Sequence, residues 1–178
     1  MAEAFIVAAA RTAGGKKGGR LAGWHPVDLG AQILNALVDR TGADPALVED
    51  VIMGCVDQAG EQGVNVGRNA VLASRLPESV PGTSIDRQCG SSQQALHFAA
   101  QAVMSGQMDV VIAAGVESMT RVPMGMPSSL PQKQGTRLCP PASSRALPSN
   151  RASAATASSA VDAARYSSGA GFIRGTPS

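Results

Sequence analysis

The sequence predicts an α/β fold in which a layered sheet-and-helix domain occupies residues 1–127. Short apolar runs alternate along this region with longer stretches whose apolar residues recur at helical spacing. An apolar content of 44% supports a real core, and the aromatic content of 3% means that small aliphatic residues must build it. Alternation of this kind is typical of a largely parallel sheet covered by helices.

Four strands and three helices follow from these patterns. The first run, residues 4–10, is continuously apolar, as expected of a strand that is covered on both faces. Pro26 suits the first turn of a helix that Gly42 ends, and Asn65 can cap the next helix. The predicted strands are 4–10, 51–56, 83–86 and 109–115, and the predicted helices are 26–41, 65–76 and 90–104.

Charge and composition divide the chain near residue 127. Residues 1–127 carry 9 basic and 12 acidic side chains, whereas residues 128–178 carry 6 basic and one acidic, so the net charge of +2 averages two different segments. Ala, Ser, Pro and Gly make up 30 of the last 51 residues, against five Leu, Ile or Val. Because so little apolar surface is available to offset ordering entropy, we expect residues 128–178 to be a mostly disordered tail.

Several classes of protein are excluded on composition. No apolar run approaches the roughly 20 residues that span a bilayer, and Glu3 rather than a basic residue precedes the first apolar run. Three scattered cysteines fit neither a disulfide framework nor a metal site. The basic tail lacks interleaved aromatics and clustered charge. We therefore expect a cytoplasmic protein with reduced thiols that binds no nucleic acid, membrane or metal.

Cys89 is the strongest candidate for chemistry, because it lies where a predicted strand ends and a helix begins. The N-terminus of a helix carries partial positive charge, which stabilises a thiolate, and its free N–H groups can hold an oxyanion. Gly90 and two serines follow, so a substrate could approach the sulfur closely. On physics alone, a small cysteine packed in the junction explains the pattern equally well.

Five motifs in order along the chain resemble those of the thiolases, which make or cleave 3-ketoacyl-CoA. Ser-Ile-Asp-Arg-Gln-Cys-Gly-Ser-Ser at 84–92 resembles the acyl-enzyme motif. The first strand and its Arg-Thr loop, the second strand, the Val-Pro-Gly-Thr lead and the Gly-Val-Glu-Ser-Met turn resemble their thiolase counterparts at 5–12, 51–58, 80–83 and 115–123. The resemblance covers about residues 4–127, and one departure is Asp86, where many thiolases have Asn or a hydroxyl residue.

The resemblance implies that Cys89 is the nucleophile that receives an acyl group from a coenzyme A thioester. It implies acyl transfer to acetyl-CoA or CoA in fatty-acid or lipid metabolism, with coenzyme A as substrate and no bound cofactor. It also implies one half of an enzyme that stacks two similar halves, and a homo-oligomer built largely through this N-terminal half.

The remaining catalytic motifs of the family do not occur in this chain. His25 lies in the N-terminal loop, His97 lies about 12 Å along the helix from Cys89, and Cys139 is followed by Pro-Pro rather than Gly-Gly. We therefore expect essentially no thiolysis from the chain alone. The Arg-rich, Lys-poor composition of the tail suggests a shifted reading frame or a mis-set gene boundary, which the other two frames of the downstream DNA would reveal.

Other interpretations stay open at this point. The chain could be a non-catalytic thiolase-like fragment that dimerises, or a domain related to the ketoacyl synthases, although the Gly-Val-Glu-Ser-Met turn favours a thiolase. Met119, Met124 and Met126 could line an acyl pocket or simply pack adaptably. We expect Glu117 to satisfy backbone or arginine partners and Cys55 to lie in the core.

Overall fold

The computed structural model describes residues 3–136 and 166–175. A five-stranded sheet runs in the order β1-β5-β4-β2-β3. Its strands are β1 (Ala4–Arg11), β2 (Asp50–Gly54), β3 (Gly82–Ile85), β4 (Val110–Ser118) and β5 (Tyr166–Gly175). The helices are α1 (Pro26–Thr41), α2 (Val66–Ala73), α3 (Ser91–Met104) and α4 (Met126–Lys133), with 3-10 turns at Pro45–Leu47 and Gly60–Gln62.

The predicted strands and helices up to β4 are confirmed, with small differences at their ends. Pro26 lies in the first turn of α1, and Gly42 ends that helix at φ 62°, a left-handed conformation that glycine adopts without strain. Asn65 accepts a hydrogen bond from the Arg68 N–H and so caps α2, which stops at Ala73 rather than near residue 76.

Two apolar clusters lie on opposite faces of the sheet. The alternation of side chains along β2 and β4 sends Val51, Met53 and Ile112 to the face of α1 and α2. The intervening residues Ile52 and Val111 pack against α3 on the other face. Because β2 pairs parallel with both β3 and β4, the carboxyl ends of these three strands lie at the same end of the sheet, where α3 begins.

The sheet is mixed rather than largely parallel, because β5 is inserted between β1 and β4 and pairs antiparallel with both. β2 pairs parallel with β3 and with β4. Because β5 is antiparallel to both β1 and β4, β1 runs in the same direction as β4. The four strands predicted from sequence are thus mutually parallel, and the sheet is mixed only because of β5.

Two parts of the segment 128–178, which we expected to be a mostly disordered tail, form regular elements: the end of α4 and β5. Ala170, Phe172 and Ile173 are buried, and backbone pairing with two strands adds hydrogen bonds that composition does not reveal. The expectation for residues 137–165 and 176–178 lies outside the described residues.

β1 differs from its expected environment. It forms an edge of the sheet, and Phe5, Ile6 and Val7 are 49%, 61% and 54% exposed. The prediction that this strand is covered on both faces was therefore wrong within the described part of the chain. Across the helices of that part, none combines the length and apolarity needed to cross a bilayer.

Candidate active site

Cys89 lies in the short connection between Ile85, the last residue of β3, and Ser91, the first residue of α3. Its side chain is exposed. Gln88, immediately before it, has φ 50°, a conformation that costs energy for a residue with a side chain and that must be held by its surroundings. The alternative of a cysteine packed inside the junction is therefore wrong.

Hydrogen bonds hold this connection in place. The Ser91 hydroxyl accepts from the Arg87 N–H at 2.9 Å and donates to the Gln88 carbonyl at 2.6 Å. The Asp86 carboxylate accepts from the Gln88 N–H at 2.7 Å. Because Ser91 is buried, its two bonds are protected from water and fix the turn that presents Cys89.

Two glycines let the first turn of α3 approach the sheet. Gly54 and Gly115 are register partners across β2 and β4. A Cβ on Gly54 would come within 3.0 Å of the backbone of Ser91 and Ser92, and a Cβ on Gly115 would also come within 3.0 Å of the Ser92 side chain. The absence of side chains at both positions thus sets how near the start of α3, and with it Cys89, lies to the strand ends.

A cavity of about 930 Å³ opens beside Cys89 at this edge of the sheet. Strands β1, β2, β4 and β5, the start of α3 and the segment that follows β4 all contribute to its wall. Met119 and Met124 line it, while Met126 is not among its lining residues. The volume falls in the range of about 300–1,000 Å³ that is usual for small-molecule sites.

Cys55 shares this cavity but differs from Cys89 in environment. It is buried, as expected from its place in an apolar strand. Burial raises the pKa of the Cys55 thiol well above its ordinary value, and the nearby carboxylates of Glu117, Asp57 and Asp86 raise it further. Cys55 is therefore a neutral thiol at physiological pH, and the exposed sulfur in the cavity belongs to Cys89.

Glu117 lines the cavity and joins the ends of β2 and β4. Its carboxylate accepts from the Val56 N–H at 2.7 Å, from the Asp57 N–H at 3.4 Å and from the Gln62 side-chain amide at 2.6 Å. Burial raises the pKa of Glu117, and these hydrogen bonds oppose the rise because they stabilise the charged form. The expectation that Glu117 satisfies backbone partners is confirmed.

Asp57 connects the same strand end to the segment that precedes α4. One carboxylate oxygen accepts from the Gly125 N–H at 3.1 Å, and Gly125 follows Met124 in the cavity wall. Burial is the main cause that raises the pKa of the Asp57 carboxyl. This bond fixes the position of the segment 119–126, which contains the three methionines, relative to the sheet.

The two histidines lie away from the cavity wall. His25 caps α1, where its Nδ1 accepts from the Val27 N–H at 3.2 Å, and its Nε2 lies 3.8 Å from the Glu61 carboxylate. Glu61 in turn pairs with Arg121. His97 lines a separate pocket of about 230 Å³ on α3. Neither histidine is among the residues that line the cavity of Cys89.

Two features of the site were not found from the sequence. Gln62 is completely buried and links Glu117 to Asp57 and Ser118, although it lies in a stretch that is simply polar in sequence. The opposition of Gly54 and Gly115 depends on strand register, and the only signal was a glycine near the end of each apolar run. Among the described residues, no three or more His, Cys, Asp or Glu side chains are grouped so that they could hold a metal ion.

Comparison with known proteins finds similarity to thiolases in both sequence and structure. The family profile "Thiolase, N-terminal domain" matches residues 4–166, which extends past the limit of 127 set by the sequence motifs. The chain is 53% identical over 135 residues to the steroid 3-ketoacyl-CoA thiolase of Mycobacterium tuberculosis, covering 76% of this chain and 33% of that one. It is 49% identical over 127 residues to the β-ketoadipyl-CoA thiolase of Escherichia coli, covering 71% and 32%.

A solved structure shows the same likeness in three dimensions. The crystal structure of the Bacillus anthracis acetyl-CoA acetyltransferase matches with a TM-score of 0.64 and 39% identity, over 67% of this chain and 30% of that chain. The chain spans about a third of the length of the curated relatives that it matches.

Proposed function

The chain belongs to the thiolase family, and from that premise we propose that it is the nucleophile-bearing part of an acyl-CoA C-acyltransferase. Cys89 is the proposed nucleophile, and a coenzyme A thioester is the substrate. The proposed setting is fatty-acid or lipid metabolism in the cytoplasm. The names of the relatives refer to steroid 3-ketoacyl, β-ketoadipyl and general 3-ketoacyl thioesters. Membership of the family therefore indicates the type of reaction but does not identify the acyl group.

The proposed reaction has two acyl transfers. In the first, the Cys89 sulfur attacks the thioester carbonyl, a new C–S bond forms, the bond to coenzyme A breaks, and the leaving thiolate takes up the proton lost by Cys89. In the second, the acyl group passes either to the sulfur of CoA or to the α-carbon of acetyl-CoA, the acceptor loses a proton, the acyl bond to Cys89 breaks, and the Cys89 sulfur takes up a proton. Either route regenerates the Cys89 thiol.

The observation that carries the proposal is an exposed thiol at the start of α3, beside a cavity of about 930 Å³. The first turn of a helix has N–H groups without intrahelical partners and a partial positive charge. Such groups stabilise the negative oxygen that develops when a thioester is attacked. The fixed Arg87–Ser91 turn supports the proposal because a nucleophile held in one geometry reacts faster.

The proposal assigns only the first transfer to residues of this chain. Proton transfer at the sulfur and at the substrate α-carbon requires a base, and among the described residues neither histidine lines the cavity. By the family resemblance, a Gly-His-Pro histidine and a second cysteine would supply these steps. We therefore propose that complete turnover needs a C-terminal thiolase half in addition to residues 1–178.

A second candidate function is association without catalysis. The apolar side chains of Phe5, Ile6 and Val7 are exposed along an edge strand, which is a surface suited to pairing with a second polypeptide. A homo-oligomer formed through this half of the molecule is compatible with both candidates. Catalysis and association are distinguished by whether Cys89 accepts an acyl group.

Release of coenzyme A tests the proposal. The purified 178-residue chain is mixed with a saturated acyl-CoA, and free coenzyme A is measured by chromatography. We expect up to one equivalent of coenzyme A per chain without continued release, and none from Cys89→Ser. Equal release from the wild-type chain and Cys89→Ser would overturn the proposed nucleophile. In a separate reaction with a 3-ketoacyl-CoA and free coenzyme A, sustained thiolysis would overturn the need for a C-terminal half.

A further inference from the structure

The cavity beside Cys89 is bounded mainly by apolar side chains. Leu96 comes from α3, Met119 and Met124 come from the segment after β4, and Ile6 comes from the exposed edge strand. Ala113 and Ala114 on β4 also line it, and neither has a polar side chain. An apolar ligand that enters this space gains about three- to fourfold in affinity for each methylene group that it buries.

The charged groups of the cavity wall are mostly acidic. Asp57, Asp86 and Glu117 line it, and Arg11 is the one basic residue among its described lining residues. Arg11 is exposed at the end of β1. A negative group that enters the cavity away from the start of α3 therefore meets three carboxyl groups and a single, solvated guanidinium.

The hydrogen-bond donors around Glu117 and Asp57 already have acceptors. The N–H groups of Val56 and Asp57 donate to Glu117, and the N–H of Gly125 donates to Asp57. Glu117 also takes the amide of Gln62. A carboxylate that reached these donors would displace one of the internal bonds or lie without a partner, and both outcomes are costly.

We propose that the cavity beside Cys89 accepts uncharged apolar acyl chains and discriminates against acyl chains that end in a carboxylate. The proposal rests on the proposed function, since it names the acyl class for the same nucleophile. Its physical basis is the apolar wall together with three carboxyl groups, against which a terminal carboxylate is repelled and desolvated.

Alkylation of Cys89 by tailed iodoacetamides tests the cavity without requiring acyl transfer. The sulfur displaces iodide, a C–S bond forms as the C–I bond breaks, and the thiol proton passes to the buffer. One reagent carries an N-octyl tail, and the other carries a tail of equal length that ends in a carboxylate. Rates are measured by peptide mass spectrometry and divided by the rates of the same reagents with N-acetylcysteine.

After this correction, we expect the octyl reagent to modify Cys89 at least about tenfold faster than the carboxylate reagent. Shortening the octyl tail should lower the rate, because fewer methylenes are buried. A ratio near one, or a faster reaction of the carboxylate reagent, would overturn the proposal.

Two variants identify the charges responsible. Asp86→Asn keeps an oxygen that can accept from the Gln88 N–H, and it should raise the rate of the carboxylate reagent relative to that of the octyl reagent. Arg11→Gln should leave the ratio of the two rates unchanged. A selective loss of the carboxylate reagent's rate in Arg11→Gln would show that Arg11 recruits carboxylates and would contradict the proposal.

Failure of this inference is distinguishable from failure of the proposed function. If tail discrimination is found but no acyl-CoA releases coenzyme A, the nucleophile assignment fails and the cavity assignment stands. If apolar and carboxylate-ended acyl-CoA thioesters acylate Cys89 equally, the cavity assignment fails and the nucleophile assignment stands.

Discussion

Gly54 and Gly115 are register partners at the carboxyl ends of β2 and β4, and the first turn of α3 lies against both. The backbone of Ser91 and Ser92 occupies the space that a Cβ on Gly54 would need. These contacts determine where α3 begins, and Cys89 precedes that start by two residues. The position of the exposed thiol is thus set by two positions of the sheet that lack side chains.

Substitution of these glycines should destabilise the fold to different degrees. Gly54→Ala forces a shift of helix backbone, so we expect a loss of about 1–3 kcal/mol in the free energy of unfolding. Gly115→Ala conflicts with the Ser92 side chain instead, so its cost should be smaller. Urea unfolding followed by circular dichroism gives both values.

Gly14→Ala is the matched control, since nothing lies within 4 Å of a Cβ at that position. It should change the stability by less than about 1 kcal/mol. Equal stability of Gly14→Ala and Gly54→Ala would contradict the account of how α3 is positioned.

The two described cysteines should differ in reactivity. Iodoacetamide at neutral pH should modify the exposed Cys89 while the buried, protonated Cys55 stays unmodified until urea unfolds the chain. Peptide mass spectrometry during the reaction measures both sites. Modification of Cys55 at the rate of Cys89 in the folded chain would mean that the cavity is not assembled as described. We also expect Cys89 to react ahead of Cys139, which lies outside the described residues.

Glu117 should make stability depend on pH. Its folded-state pKa is raised from the ordinary value of 4.5, so the folded chain holds the proton more tightly than the unfolded chain. The resulting stabilisation is complete below pH 4.5 and is lost as the pH rises through the folded-state pKa. Relative to Glu117→Gln, the wild-type free energy of unfolding should therefore fall as the pH increases above 4.5.

Urea unfolding of both proteins from acid to neutral pH measures this difference. Glu117→Ala serves as a second comparison, because it leaves the N–H groups of Val56 and Asp57 and the Gln62 amide without their acceptor. We expect it to destabilise the chain by about 3 kcal/mol at neutral pH. A stability difference from Glu117→Gln that rises with pH would contradict the direction of the pKa shift.

The exposed edge strand should promote self-association. Phe5→Lys and Val7→Lys each place a charge on β1 outside the cavity wall, and charges on an edge strand oppose pairing with another chain. Sedimentation at several concentrations should show weaker association of these variants than of the wild-type chain. Lys16→Gln, in the loop after β1, serves as a control for a change of surface charge. Unchanged association of the β1 variants would exclude this surface as the interface.

The features that could be predicted from sequence are those with local signals. Pro26 and Gly42 delimit α1, Asn65 marks the start of α2, and the Gly and Ser residues after Cys89 mark the start of α3. Each of these helix ends depends on residues that are close in sequence and on conformations that few residue types adopt. The location of Cys89 at the junction followed from these signals alone.

The features that escaped prediction depend on distant partners. Gln62 and Glu117 are 55 residues apart, and no local pattern pairs them. β5 was not predicted because the segment around it is rich in Ala and Ser and contains few large apolar residues, among them Phe172 and Ile173. The exposure of Phe5, Ile6 and Val7 follows from the place of β1 at the sheet edge, which strand order decides and composition does not.

The location of a transferred acyl group tests the central claim most directly. The chain is incubated with a saturated acyl-CoA, quenched in acid, digested with protease and analysed by tandem mass spectrometry. We expect an acyl group on the peptide that contains Cys89, the same adduct in Cys55→Ser, and none in Cys89→Ser. An acyl group on Cys55 in the wild-type chain, or adduct formation that persists in Cys89→Ser, would contradict the assignment of Cys89 as the nucleophile.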